Sequence, residues 1–337
     1  MRRYVLPRDG NFYKANLHCH STCSDGRLTP KELKGIYKAR GYSILAISDH
    51  NVLIDHSDLD DSEFVTLTSC EINVNKDSPK GHPTIPCYHI NFYAEDQHND
   101  VIPCFDPVYL KDYQKGLGEC QKYVGESGYT RDYGRINEMI AEFTRHGFIA
   151  TVNHPTWSQQ TLDDYRTLEG VFAMEIYNNG CYLEGYDEFN AHILDGMLRM
   201  GKRIFCVATD DDHNKYPLDS PSCDSFGGFV MIKAHELTHA SVISALRSGD
   251  FYASTGPEIK ELYIEGDVLH IKTSDAVRIS VTSDHRRACT AYPPAEQGEF
   301  DQADIDISKL RASEYIRVTV TDKFGKYAWS QPIWKDN

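Results

Sequence analysis

Histidines and carboxylates recur in short polar groups along the first two-thirds of this 337-residue sequence. The groups are His18-Cys19-His20, Ser48-Asp49-His50-Asn51, Glu71, His89, Asn153-His154-Pro155 and Asp211-Asp212-His213. Imidazole together with carboxylate suits zinc, manganese or iron. Two histidines spaced by two on an extended segment point to one side, with Cys19 on the other, and such a pair is a common start to a metal site. One pair alone is equally at home as two hydrogen-bonded structural histidines. The recurrence after successive apolar runs carries the argument, because burying so many unpaired polar groups is costly. No glycine-rich phosphate loop and no serine or cysteine nucleophile motif accompanies them. The chemistry expected is hydrolysis by metal-activated water.

The apolar runs that must position these groups read as strands over residues 15–20, 44–49, 64–70, 89–94, 148–154, 171–177, 204–209 and 228–233. Helices lie between them. Thr29-Pro30-Lys31-Glu32 is a capping box with proline at the first helical position, and that helix ends near Gly41. A second amphipathic stretch, 135–146, stops at Gly147, and 238–248 stops at Gly249. Strands alternating with helices predict an α/β fold with a parallel sheet, closed or nearly closed into a barrel whose active residues sit at the carboxyl ends of the strands. After Thr255-Gly256-Pro257 the pattern becomes period-two alternation with turns, which predicts an antiparallel β-sandwich domain. The expected domains are thus residues 1–256 and 257–337. A long polar excursion over 95–132 carries Phe105, Tyr109, Tyr113, Tyr123 and Tyr129, and reads as a surface loop with a short helix or as a lid or wall over the site.

Composition narrows the partners. The chain is 40% hydrophobic and 25% charged, with a formal net charge of -15. An acidic surface repels a phosphate backbone and so predicts no tight binding of long nucleic acid, whereas bound metals still admit a small anion. No apolar run reaches the ~20 residues that span a bilayer, and the first residues lack the apolar stretch of a secretory signal. Ten cysteines without a CxxC pair read as reduced, buried thiols of a cytoplasmic protein.

Taken in order, His18-x-His20, Ser24-Asp25-Gly26, Ser48-Asp49-His50, Glu71, His89, Asn153-His154-Pro155 and Asp211-x-His213 resemble the motifs of the PHP (polymerase and histidinol phosphatase) superfamily. The resemblance spans roughly residues 12–256. The segment from Ala253 to Pro332 looks like the β-sandwich tail of the arylcarbamate-hydrolase-like branch. It implies a distorted (β/α)7 barrel holding two or three divalent metal ions. His18, His20, Glu71 and Asp211 would hold one ion, Glu71 as a bridge with His89 and His154 a second, and Asp25, His50 and His213 a third. Glu71, Asp211 and His213 are the expected catalytic residues. A bridged metal pair lowers the pKa of a bound water towards ~7 and stabilises the oxygens of an in-line displacement. Three ions against three carboxylates leave the site positive by about three charges, which favours a small anionic substrate such as a phosphate ester. Carbamate, amide or ester cleavage on the same metals is the enzyme alternative, and a metal-stabilised binding protein without turnover is the non-enzyme one.

Other polar residues receive plainer readings. Asp49 points away from His50 and is expected to be structural. Glu175 and Asn178 either line the pocket or make a turn. Asp210 and Asp212 are expected to face solvent. His82, between Gly81 and Pro83, competes with His89 for the second metal, and the strand position favours His89. Arg27 is the one cation expected near the third site. His270 is expected to face outward from the tail, which should supply no ligand.

Overall fold

The computed structural model describes residues 2–76, 86–105, 107–119, 121–124 and 132–335. Seven apolar runs become neighbouring strands in chain order: β1 (Asn11–Cys19), β2 (Ile44–Ile47), β3 (Val65–Asn75), β4 (Cys87–Ala94), β5 (Phe148–Val152), β6 (Ala173–Asn178) and β7 (Phe205–Thr209). The sheet is mixed, which corrects the all-parallel expectation. β1–β2–β3 and β5–β6–β7 are parallel, but β4 runs antiparallel to both β3 and β5. The segment joining β3 to β4 is too short for a crossover helix, so β4 can return beside β3 only as an antiparallel neighbour.

The two ends of this run meet. The Asp211 amide, just past β7, donates to the His18 carbonyl at 2.9 Å, and the His20 amide donates to the Asp212 carbonyl at 3.0 Å. β8 (Phe229–Ala234) and β9 (Phe251–Ser254) then extend the sheet beyond β1, both antiparallel.

The helices cover the outside. α1 (Pro30–Ala39) carries the expected capping box of Thr29 and Glu32 and buries Leu33 and Tyr37. α2 (Ile136–Arg145) buries Ile136, Met139, Ile140 and Phe143, and Phe143 stacks on Phe92 of β4 with ring centroids 3.6 Å apart. α3 (Ala191–Arg199) and α4 (His239–Ser248) present similar apolar faces, and α4 stops at Gly249, whose φ of 77° suits glycine. No helix among the described residues is long and apolar enough to cross a membrane.

The C-terminal strands are β10 (Ile259–Glu265), β11 (Val268–Ala276), β12 (Arg278–Ser283), β13 (Cys289–Ala291), β14 (Phe300–Asp306), β15 (Tyr315–Thr321) and β16 (Tyr327–Ser330). β10, β11 and β14 form one sheet, with Arg2–Tyr4 at its edge. The others join the large sheet, because β16 pairs with β9 as well as β15. Leu262, Leu269 and Ile271 from the first sheet meet Ile279, Val281 and Val318 from the second in one apolar core. Polar contacts also join the two halves of the chain. The Arg317 guanidinium holds Asp195 of α3 at 2.7 and 2.8 Å, and the Gln331 amide bonds both the N–H and the C=O of Cys206.

Candidate metal centre

The strand ends bring the nine sequence-chosen residues to one place. Cys19 turns into the apolar cluster with Leu33 and Tyr37, so His18 and His20 project together to the other side, both fully buried. His18 Nε2 and His20 Nε2 each lie 3.1 Å from Asp211 Oδ1. Asp211 and His154 take φ values of 52° and 25°, a left-handed conformation that strains a residue bearing a β-carbon. Such strain, held by the surrounding hydrogen bonds, aims both side chains inward. Gly26 has a packing reason as well: a β-carbon there would lie 2.2 Å from the His20 carbonyl oxygen. The Ser24-Asp25-Gly26 turn therefore needs glycine to bring Asp25 beside His213 (Oδ1 to Nε2, 3.3 Å) and His50 (Oδ1 to Nε2, 3.8 Å).

Glu71 stands at the centre. Its carboxylate is within 3.5 Å of five imidazoles: His18 at 3.4 Å, His20 at 3.5 Å, His50 at 2.9 Å, His89 at 3.1 Å and His154 at 3.5 Å. It is 0% exposed, and its Oε2 has the imidazole nitrogens of His50 and His20 at 2.9 and 3.5 Å but no well-aligned hydrogen bond. An unsatisfied buried anionic oxygen is costly, and a cation is the group that satisfies it. Four sets of side chains place their donor atoms within 4.8 Å of one another: His18, His20 and Asp211; Glu71, His89 and His154; His20, Asp25, His50 and His213; and His154, Cys181 and Asp211. The first three overlap the sequence grouping, although the first lacks Glu71 and the third adds His20. Cys181 was missed, and nothing in its sequence setting marks it.

The titration behaviour shows how much negative charge this pocket concentrates. Burial opposes protonation of His89, but Glu71 overrides it and raises the pKa to about 10. His213 is likewise raised to about 9 against burial, by its hydrogen bond with Asp25. His18 is raised well above the usual range against burial, by Asp211, Glu71 and Glu175. His20 goes the other way, to about 4, because burial and the neighbouring His213 and His50 disfavour its charge. Burial would raise Glu71 and Asp211, yet the surrounding imidazoles hold both well below the carboxylate range. In the metal-free protein, imidazole protons supply the positive charge that divalent ions would otherwise bring.

A second layer orients the first. Glu175 is fully buried: it accepts from His18 Nδ1 at 2.7 Å, the His154 amide at 2.7 Å, Asn178 Nδ2 at 2.8 Å and Thr209 Oγ1 at 2.6 Å. Neither Glu175 nor Asn178 lines the cavity: Glu175 lies behind the histidines, and Asn178 accepts from the Cys181 amide at 2.9 Å, so the turn reading holds for Asn178. His213 Nδ1 donates to the Asp211 carbonyl at 3.1 Å, and His154 Nδ1 lies 3.1 Å from Ser158 Oγ. His18, His154 and His213 therefore all turn Nε2 inward with Nδ1 tied behind. Asn153 donates to Glu71 Oε1 at 2.8 Å. Asp49 accepts from the Ser21 amide and the Ser21 and Ser24 hydroxyls, so its structural reading also holds, as the anchor of the Asp25 loop.

Asp210 and Asp212 are corrected. Both are 0% exposed, not solvent-facing, and they share the Tyr37 hydroxyl at 2.7 and 2.8 Å. Asp210 also accepts from the amides of Phe226, Gly227 and Gly228. The acidic run gave no sign of these partners, which come from α1 and from the segment before β8.

No family model matches the sequence. A stretch of 66 residues is 41% identical to the 5'-3' exoribonuclease of Haemophilus influenzae and covers 18% of this chain and 24% of that protein, so the chain spans about a quarter of that relative's length. Among solved structures, the chain is similar to a two-domain Bacteroides vulgatus protein described as containing a PHP-like metal-dependent phosphoesterase. Identity is 14%, coverage 95% of this chain and 94% of the other, and the TM-score 0.46. It is also similar to a protein of Bifidobacterium adolescentis described as a metal-dependent phosphoesterase (15% identity, 64% and 91% of the two chains, TM-score 0.39). A third similar structure is a Chromobacterium violaceum amidohydrolase with bound sulfate (17% identity, 59% and 87%, TM-score 0.39).

The residues enclose a cavity of about 520 Å3 lined by Asp25, His50, Glu71, His89, His154, Asp211 and His213, with Trp157, Cys181, Leu183, Lys215 and Tyr216 around them. Gln114, from the 95–132 excursion, donates to the carbonyls of His50 at 2.8 Å and Cys23 at 3.2 Å, so this segment backs the wall of the site. The Arg27 amide donates to the His213 carbonyl at 2.9 Å, but among the described residues Arg27 does not line the cavity. Lys215 is the cation that does, and sequence reasoning missed it. Its place two residues after His213 was the available signal. His82 lies outside the described residues.

Proposed function

We propose that this chain is a metal-dependent phosphoesterase of the PHP type, hydrolysing a small phosphate ester. The observation that carries this is Glu71: a fully buried carboxylate within 3.5 Å of five imidazoles. The seven strands β1–β7, whose ends meet through Asp211 and His20, support a distorted (β/α)7 barrel over residues 1–256. The two sheets on one core support a β-sandwich over 257–337. We assign His18, His20, Glu71 and Asp211 to one ion, Glu71, His89 and His154 to a second, and Asp25, His50 and His213 to a third. Zinc, manganese and iron all suit this donor set. The likeness of 66 residues to an exoribonuclease supports a phosphate ester as the bond cleaved.

When bound, the ions supply an activated water and compensate the negative charge on the reacting oxygens. The protein's own residues do the rest. Glu175 fixes the tautomer of His18 by accepting from its Nδ1, which leaves the Nε2 lone pair, on the side of Glu71 and Asp211, available to a metal ion. Asn153 and Asn178 donate to Glu71 and Asp211 and hold their carboxylates in one orientation. Trp157 packs against His89 and His154, with ring centroids 5.3 and 4.9 Å apart, and shields that side from water.

Metal counting and hydrolysis of an aryl phosphate test the reading together. The wild type should carry two or three ions and hydrolyse the phosphate. Glu71→Gln should lose more than one ion, and His213→Ala only one. Hydrolysis of an aryl ester or carbamate but of no phosphate would replace the proposal with its carboxyl-ester alternative. Metal bound with no turnover of either would leave a binding protein.

A further inference from the structure

The cavity has a second half that metal binding does not use. Leu183 and Tyr216 line it while remaining 40% and 55% exposed, although they are large apolar side chains. Trp157 adds a third apolar face, and its indole is held in place by Glu184 at 3.0 Å. Neutral hydrogen-bonding side chains are scarce there: Ser222 and the Tyr216 phenol are the ones that line the cavity.

Charge divides just as clearly. The carboxylates around the cavity are engaged: Asp25 by His213 and His50, Glu184 by the Trp157 indole, and Asp224 by the amides of His213 and Asn214. Lys215 is the one Lys or Arg lining it among the described residues, and it makes no ion pair with any of them. Its loop is pinned at the base, where Asn214 takes a φ of 52° and bonds the Ser225 hydroxyl at 2.6 Å. The cation is thus presented at the lip beside His213 without a partner of its own.

Resting on the phosphoesterase reading, we infer that the substrate is a phosphomonoester of a ring-bearing, largely apolar alcohol, with Lys215 binding its anionic group and Leu183, Tyr216 and Trp157 packing on its ring. A sugar or glycerol phosphate would set hydroxyls against these apolar faces, which disfavours it modestly, by ~100-fold at most. A ring withdraws from water on the exposed faces of Leu183 and Tyr216, and that burial favours binding.

Phosphonates, which are not hydrolysed, separate recognition from chemistry. Calorimetric titration of the manganese-loaded full chain should show benzylphosphonate binding ~10-fold tighter than 2-hydroxyethylphosphonate. Leu183→Ala with Tyr216→Ala should remove this preference while the hydroxyethyl compound binds as before. Lys215→Gln, with its metal content confirmed, should weaken both ligands alike. Equal affinities in the wild type would overturn this inference and leave the phosphoesterase reading standing, since phosphonates would still bind. Binding of neither, with metal present, would overturn both. An unchanged affinity in Lys215→Gln would remove Lys215 from the assignment.

Discussion

Asp210, Asp211 and Asp212 are consecutive, equally hidden from solvent in practice, and opposite in chemistry. Asp211 faces the histidines and is held far below the usual carboxylate range against burial, chiefly by His18 and His20. Asp210 and Asp212 face Tyr37 on the other side. There burial wins, raising Asp210 to about 6 and Asp212 well above its ordinary value. One cluster balances its charge with imidazoles, which can exchange their protons for metal. The other balances it with hydroxyls and backbone amides, which can only donate hydrogen bonds. The left-handed conformation of Asp211, just past β7, thus separates identical residues into a reactive face and a structural one.

The comparison breaks most visibly by removing carboxylate charge on each face in turn. Glu71→Gln and Asp211→Asn should lower hydrolysis by more than the ~100-fold typical of losing an outer hydrogen-bond partner. Asp212→Asn should keep metal content and activity near wild type, because the buried Asp212 is already biased to its neutral form. Equal losses in Asp211→Asn and Asp212→Asn, read as metal per chain, would erase the distinction.

Glu175→Gln should come next. It keeps the shape but weakens the acceptor for His18, and metal affinity should drop by ~10–100-fold in competition with a chelator. A variant that binds metal normally would reduce Glu175 to a core residue.

Proton linkage gives the third effect. His89 and His213 have folded pKa values of about 10 and about 9, above the ordinary 6.5. Groups raised in this way stabilise the fold fully below the unfolded value, and the contribution fades as pH rises through the folded value. Metal-free protein should therefore melt several degrees lower at pH 10 than at pH 6.5, by scanning calorimetry. Metal-loaded protein should be far flatter over the same window. Parallel curves for the two forms would separate the histidines from the metals.

The smallest effect belongs to the structural face. Asp210, raised from 3.8 to about 6, contributes stability that is lost as pH climbs from 4 to 6. Asp210→Asn should flatten that part of the melting profile, at an overall cost of ~1–3 kcal/mol from its imperfect acceptance of three amides. A profile as steep as wild type would place the titration elsewhere.

Much of the centre was legible because its logic is local. The two-residue spacing of His18 and His20, and polar groups following apolar runs, already imply one face and one end of a sheet. His89 lies inside a strand, and its ring reaches Glu71 at 3.1 Å. What stayed hidden depends on distant partners. Tyr37 lies more than 170 residues from the aspartates it serves, so a run of three acids looks like surface. Glu175 gave a faint sign, a charged residue inside an apolar strand, but its four partners come from β1, β6, β7 and the turn after β5. The antiparallel course of β4 follows from the short connection before it, which a reading based on strand–helix alternation passes over.

β9 is four residues long and paired along both edges, by β8 upstream and by β16 from more than seventy residues downstream. During synthesis the strands around the metal centre emerge before the partner of that outer edge exists. Until Ser330 is made, β9 offers a row of free amides and carbonyls on which another chain could add as a strand. A chain lacking residues 327–330 therefore displays an aggregation-prone edge that pairing with β16 conceals. The four residues of β16 thus close an edge that every strand made before them leaves open.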